Sequence, residues 1–248
     1  MAVSQVLTVT SKPAHLVVEL ASPTLANRLT AEVVDQLTAA LDKAETDADC
    51  RAFVLTAAGN DFCSGADLKE FAQSPGGEAA AKFSRLLDRL ATTPVVTIAV
   101  VEKQAIGGGA GLAAACDIVV AGPEASFRLT EVCFGMLPTI IMPAIARRLG
   151  EHRALRTAIL AEEVSAHDAV KTGWADQVVE DPRAAVRPIL LALRRSERDT
   201  IADLKEAHRV LFPVDNRYAK LAERVFGARV NQPDVVASIN SFAAKGML

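Results

Sequence analysis

The sequence predicts an α/β fold with an all-helical C-terminal extension. Two observations carry this. Short apolar runs alternate with helix-period segments up to about residue 180, the pattern of strands and helices in layers. After "DPRAAVRP" (181–188) the runs stop and only amphipathic helical segments follow. We therefore divide the chain into a core over residues 1–183 and a helical region over 184–248. At 248 residues, half of them hydrophobic, one sizeable core is expected, built from Ala, Val, Leu and Ile because there is one Trp and one Tyr.

"QVLTVTSKPAHLVVEL" (5–20) reads as two strands around a Lys12-Pro13 turn, and "ASPTLANRL" (21–29) as a loop. Thr30 is placed to cap a helix with Val33, Val34, Leu37, Leu41 and Ala44 on one face. "RAFVLTA" (51–57) and "PVVTIAVV" (94–101) are continuous apolar runs, expected as strands buried on both faces. Between them, "AGNDFCSGADLKEF" (58–71) reads as a glycine-punctuated loop entering a helix near Leu68. "GAGLAAACD" (109–117) has helical Ala and Leu density, and "IVVAG" (118–122) is strand again. "SFRLTEVCFGMLP" (126–138) reads as a short strand or loop closed by Gly135 and Pro138. "IIMPAIARRLG" (140–150) reads as a helix stopped by Gly150, with Pro143 near its first turn. Three or four amphipathic helices follow, over 189–196, 201–212, 217–228 and 233–245. No sequence repeat and no low-complexity segment stands out.

Composition narrows the function. A net charge of −3 with mixed signs gives no nucleic-acid surface, and no apolar run reaches membrane-span length. The N-terminal residues lack the charged-then-apolar layout of a secretory leader, so a cytoplasmic location is expected. Cys50, Cys63, Cys116 and Cys133 have no metal spacing and read as reduced thiols, with Cys63, Cys116 and Cys133 in apolar surroundings. No metal and no cofactor are expected.

The chemistry is expected at Gly107, Gly108, Gly109 and Gly111, four glycines in five positions between a strand and an Ala-rich helix. The phosphate-cradling string Gly-x4-Gly-Lys-Ser/Thr is not present, and Leu112 stands where a dinucleotide fingerprint needs its third glycine. Two readings remain. The glycines either permit tight strand–helix packing or let a backbone N–H reach a substrate carbonyl, paired with a second N–H from the loop around Gly65.

"DFCSGADLKEF", "AIGGGAGLAAACDIVVAG", "ASFRLTEVCFGMLP" and "VSAHDAVKTGWADQVV" resemble, in order and spacing, the successive signatures of the crotonase (enoyl-CoA hydratase/isomerase) superfamily, and "SFAAK" (241–245) resembles its last helix. The resemblance implies a crotonase-like spiral of β-β-α units, C-terminal helices mediating a homotrimer or a hexamer of two trimers, and an acyl thioester substrate on coenzyme A or an acyl carrier protein. It implies oxyanion donors at the backbone N–H of Ala66 and Gly108. It further implies a substrate-binding surface from Gly65, Asp67, Leu68, Lys69, Gly107, Gly111, Leu137 and Pro138. Of the two glutamates used by hydratases of this superfamily, one falls on Gly111 and is missing; the other falls on Glu131 and is kept, as general base.

Three departures give the branch. Lys103 replaces a glycine before the triplet, Gly111 replaces the first acid, and "PTIIMPAIARRLG" is apolar where glycines are usual. Together they resemble dehydratases of polyketide β-branching, which convert 3-hydroxy-3-methylglutaryl on an acyl carrier protein to the 3-methylglutaconyl thioester. Gly111 would then make room for the branched acyl β-carbon. An enoyl-CoA isomerase or hydratase and a catalytically silent assembly partner are the alternatives. From the residues alone, His15, His152, His167, His208, Asp61, Asp67, Asp117, Arg147 and Arg148 read as surface, capping or structural groups.

Overall fold

The computed structural model describes residues 6–74 and 77–244; Gln5 and Lys245, at the ends of two segments above, lie outside the described residues. A hairpin opens the chain, β1 (Leu7–Lys12) and β2 (His15–Leu20), antiparallel with Lys12 opposite His15. Helix α1 (Ala31–Thr46) follows, its N-terminus capped as expected by Thr30, whose hydroxyl accepts from the Val33 N–H at 3.2 Å. Val33, Val34, Leu37, Leu41 and Ala44 are all buried.

The chain then repeats a β-β-α turn. The first turn is β3 (Ala52–Ala57), β4 (Asp61–Cys63), α2 (Leu68–Gln73) and α3 (Glu78–Thr92). The second is β5 (Val96–Val101), β6 (Gln104–Ile106) and α4 (Gly108–Ala115). The third is β7 (Ile118–Ala121), β8 (Ser126–Arg128), α5 (Met142–Leu149) and α6 (Glu151–Leu160). One strand of each turn joins a large sheet and the next joins a small one. The large sheet has the order β1-β2-β3-β5-β7-β10 and is parallel from β2 onward; the small one has the order β4-β6-β8-β9 and is antiparallel only between β8 and β9. Strand β9 (Val164–Ser165), α7 (Ala166–Thr172) and β10 (Gln177–Val178) close the sheets. Helices α8 (Val186–Leu193), α9 (Arg198–Leu211), α10 (Asn216–Val230) and α11 (Pro233–Ala244) follow.

The continuous apolar strands have the predicted cause. Phe53 and Leu55 of β3 face the main core with α1, α3 and α4, while Ala52 and Val54 face a second cluster with Val96, Ile98, Val100, Val120 and Val186. Parallel strands covered on both faces favour apolar side chains at nearly every position; Thr56 and Thr97 are the buried polar exceptions in β3 and β5. Two readings need correction. Asp61–Cys63 is a strand, not loop: it pairs with β6 in register Asp61 to Gln104, and Phe62 and Cys63 are buried. Cys133 is exposed, because it lies on the outer side of a 3₁₀ turn at Glu131–Phe134, whereas Cys50 is buried along with Cys63 and Cys116.

Asp117 is a structural hub. Its carboxylate accepts from the Thr97 N–H at 2.8 Å, the Thr97 hydroxyl at 3.1 Å and Lys205 Nζ at 2.6 Å, tying the start of β5 to α9. Arg148 is committed likewise, to Asp176 and to the Cys116 and Asp117 carbonyls.

Every residue of α4 is buried, and the helix lies against β4 with almost no gap. A Cβ on Gly109 would come to 2.3 Å from the Cys63 carbonyl oxygen and 2.7 Å from its Cβ. For this glycine the packing reading is correct. Gly109→Ala pushes the helix off the strand and should destabilise the fold by about 2–3 kcal/mol, the upper range for overpacking a core. Chemical denaturation checks this, and unchanged stability would contradict the contact.

Candidate active site

The short distance between α4 and β4 brings two loops together at the N-terminus of α4. Gly65, at φ +104°, turns the chain after β4; its N–H donates to Cys63 Sγ at 3.4 Å and its carbonyl accepts from Leu29 at 2.8 Å. A Cβ there would lie 3.1 Å from the Ile106 carbonyl oxygen. Gly107, at φ +51°, makes the matching turn before α4, with its N–H held by the Arg128 carbonyl at 2.8 Å. Such φ values favour glycine.

The two amides left over face each other's chain. A Cβ on Gly108 would be 3.2 Å from the Ala66 nitrogen, which gives the measure of how near the loops run. Neither the Ala66 nor the Gly108 N–H has a partner among the backbone hydrogen bonds of the described residues. Gly108 is the first residue of α4, where an N–H has no intrahelical acceptor and the helix dipole is positive. Both residues line the same cavity. Two convergent donors at a helix N-terminus in an apolar cavity are suited to a carbonyl oxygen that gains negative charge.

Glu131 opens the 3₁₀ turn after β8 and lies over Gly107, where a Cβ would stand 3.0 Å from its Oε1. Although the residue as a whole is partly exposed, its Oε2 is sealed from solvent and has no partner. Burial raises the carboxyl from 4.5 to about 7, against the smaller pull of the Glu131 and Thr130 backbone amides. A carboxyl poised there can both take and return a proton near neutrality.

Apart from Ser64 and Thr130, the rest of the wall is apolar. Leu68, Leu137 and Pro138 line it as expected, together with Phe71, Phe83, Phe134, Met136, Ile140, Ile141 and Phe226. The sequence does not mark this second group as cavity lining. Phe83 and Phe226 come from helices far apart in sequence, and only their apolar stripes signal them, as core. The lining contains no Lys, Arg or His among the described residues.

Three expected site residues are placed elsewhere. Gly111 is outside the cavity wall and makes room for no ligand: a Cβ on it would fall 2.3 Å from Ile141 Cγ2 and 2.5 Å from Ile141 Cβ. That space belongs to the protein's own isoleucine. Asp67 caps α2, accepting from the Glu70 N–H at 3.0 Å, with Arg28 at 3.5 Å. Lys69 is exposed on α2, outside the cavity lining. Among the described residues there is no cluster of His, Cys, Asp or Glu arranged to hold a metal, and no helix is long and apolar enough to cross a membrane.

The family model described as enoyl-CoA hydratase/isomerase matches residues 11–247. A Bacillus subtilis protein named bacillaene synthase dehydratase PksH is 31% identical over 189 residues, covering 74% of this chain and 73% of its own. Another B. subtilis protein, described as a probable enoyl-CoA hydratase, is 29% identical over 233 residues, 89% of each chain. A solved B. subtilis structure, described as a polyketide-biosynthesis enoyl-CoA hydratase (pksH), superimposes with a TM-score of 0.90 at 25% identity, covering 99% of this chain and all of that one.

The raised Glu131 carboxyl has a stability consequence. Unfolded, it ionises near 4.5; folded, near 7. The folded state thus binds the extra proton in that window, so this residue's contribution to stability is full below pH 4.5 and is lost as pH rises to 7. The loss amounts to about 3 kcal/mol. Glu131→Gln, which cannot ionise, should be more stable than wild type at pH 8 by roughly 1–3 kcal/mol, with the two converging near pH 5. Parallel denaturation at both pH values measures it; an equal difference at both would show that Glu131 ionises normally.

Proposed function

Because the chain belongs to the enoyl-CoA hydratase/isomerase family, and so to hydratase–lyase enzymes acting on acyl thioesters, we propose that it dehydrates 3-hydroxy-3-methylglutaryl on an acyl carrier protein to the 3-methylglutaconyl thioester, a β-branching step of polyketide assembly. The observation that carries the reading is a single carboxyl beside two convergent backbone donors, with an isoleucine filling the space next to Gly111. Resemblance to a protein named as a bacillaene synthase dehydratase supports the branch.

In this reading the thioester oxygen accepts from the Ala66 and Gly108 N–H groups. Glu131, as carboxylate, takes a proton from the α-carbon, and the electron pair of that C–H bond moves into the carbonyl to give an enolate. The enolate collapses, the Cα–Cβ double bond forms, and the β-hydroxyl leaves with the proton that Glu131 returns, as water. One carboxyl serves as base and then acid, so a second acid is not needed. Gly65, Gly107, Leu68, Leu137 and Pro138 form the channel walls, and Lys69 stands outside them on the carrier side. The helical region over 184–248 is proposed to assemble the enzyme as a trimer or hexamer; α9 has no buried residue, and Leu204, Val210, Leu211 and Phe212 are exposed on or beside it.

One observation favours a second reading, an enoyl-CoA isomerase or hydratase on coenzyme A esters. A cavity lined without a cation accepts an uncharged acyl chain more readily than one ending in a carboxylate. Assay of purified enzyme with hydroxymethylglutaryl and crotonyl thioesters, each on coenzyme A and on carrier protein, separates the two. The dehydratase reading expects turnover of the first acyl group on carrier protein; turnover of crotonyl-CoA alone would replace it with the second reading.

Two variants test the chemistry. Glu131→Gln should lower turnover by about 10²–10⁴-fold with binding retained, and wild-type kcat/KM should climb with pH up to about 7 and then level. A variant as fast as wild type ends the assignment. Gly108→Ala places a methyl 3.2 Å from the Ala66 nitrogen and 3.2 Å from Leu29 Cδ1. Both neighbours must give by a few tenths of an ångström, so denaturation is run beside the assay to check the fold, and the oxygen is crowded off its donors. The expected loss in kcat is about 10²–10³-fold, and full activity would rule the donor pair out.

A further inference from the structure

We propose that Ile141 is the residue that sets which substituents the acyl β-carbon can carry. Residues 111 and 141 cannot both have a side chain in the space between α4 and α5: a Cβ at 111 would be 2.3 Å from Ile141 Cγ2 and 2.5 Å from Ile141 Cβ. Gly111 gives the space up and Ile141 takes it. Ile141 is 3% exposed and faces the cavity, together with Ile140 and Pro138, whereas Gly111 does not.

Its position along α4 decides its role. The Gly111 N–H donates to the Gly107 carbonyl at 3.0 Å, so the two glycines are one helical turn apart, a rise of about 5.4–6 Å. Gly107 is under Glu131, and Gly108 carries one of the two free donors. With the thioester carbonyl docked on Ala66 and Gly108, which rests on the reading above, the α-carbon is at Glu131. The β-carbon's substituents are three bonds from the carbonyl carbon, within that one turn, and so meet the side chain standing over Gly111.

Ile141 is built to be a rigid wall. Its carbonyl accepts from Ile145 at 3.1 Å, which fixes its backbone at the start of α5, and a β-branched side chain has little χ1 freedom. The wall is also apolar. It gives a β-methyl a packing partner and gives a charged or hydrated group none. The methyl of a tertiary β-carbon therefore turns toward Ile141, and the larger arm is directed away from it.

The test uses ligands that bind but cannot be dehydrated: pantetheine thioesters of 3,3-dimethylbutyrate and of 3-ethyl-3-methylpentanoate, titrated into wild type, Ile141→Val and Ile141→Ala. Wild type should prefer the smaller ligand. Ile141→Ala should shift the ratio of the two dissociation constants toward the larger by at least 10-fold, about the value of one methylene in an apolar pocket. Ile141→Val should shift it the same way by less, and it serves if the alanine variant is too unstable. A ratio within twofold of wild type in the folded variants overturns the proposal, since a purely structural role would weaken both ligands alike. Because these ligands carry no β-hydroxyl, a wild-type enzyme inert toward the hydroxymethylglutaryl thioester would sink the dehydratase reading alone, and the binding ratio would still decide the role of Ile141.

Discussion

The site depends on one contact, the approach of α4 to β4 at Gly109 and Cys63. A single Cβ at 109 would overlap the Cys63 carbonyl at 2.3 Å. Because no Cβ is there, the turn after β4 and the turn before α4 come within a van der Waals distance of each other, and the Ala66 and Gly108 amides are left unpaired side by side. Neither loop alone makes a site. The spiral makes it by stacking successive β-β-α turns, so that β4 and β6 are parallel neighbours and the segments leaving them run together. The pair of amides proposed to hold the thioester oxygen is therefore a by-product of backbone packing, fixed before any ligand arrives.

Glu131 adds a constraint of the opposite sign. The fold leaves its Oε2 buried and unpartnered beside Gly107, and the carboxyl stays protonated up to about pH 7 as a result. A more stable protein would let water or a donor reach that oxygen. Keeping it bare costs stability at neutral pH, and gives the proposed base a proton affinity suited to a reaction run near pH 7. The apolar wall of Phe71, Phe83, Phe134, Ile140, Ile141 and Phe226 is what maintains the low polarity on which both the raised carboxyl and the strength of the two amides depend.

Much of this is legible in the sequence, for local reasons. The strands of the large sheet announce themselves because they are buried on both faces, and α1 because Thr30 caps it and its apolar residues follow a helical period. Glu131, Ala66 and Gly108 are legible through motif resemblance, and the structure brings them to one cavity. The misreadings have long-range causes. Gly111 reads as space for substrate because nothing local says that Ile141, thirty residues on, fills it. Asp67 falls on a substrate contact by resemblance alone; the capping role that its residue type and loop position favour is the one it has, accepting from the Glu70 N–H. Asp61–Cys63 is too short to declare itself a strand before its partner Gln104–Ile106 is beside it. The aromatic lining is hidden for the same reason: Phe83 and Phe226 have the periodicity of core residues, and only their convergence reveals a cavity.

Whether packing at Gly109 aims two backbone amides at one oxygen is tested most directly by a crystal structure of the Glu131→Gln variant soaked with a hydroxymethylglutaryl pantetheine thioester. The thioester oxygen is expected at about 2.7–3.1 Å from both the Ala66 and the Gly108 nitrogen, with residue 131 facing the α-carbon. A thioester oxygen bound to neither amide, or to only one, would contradict the paired-donor site.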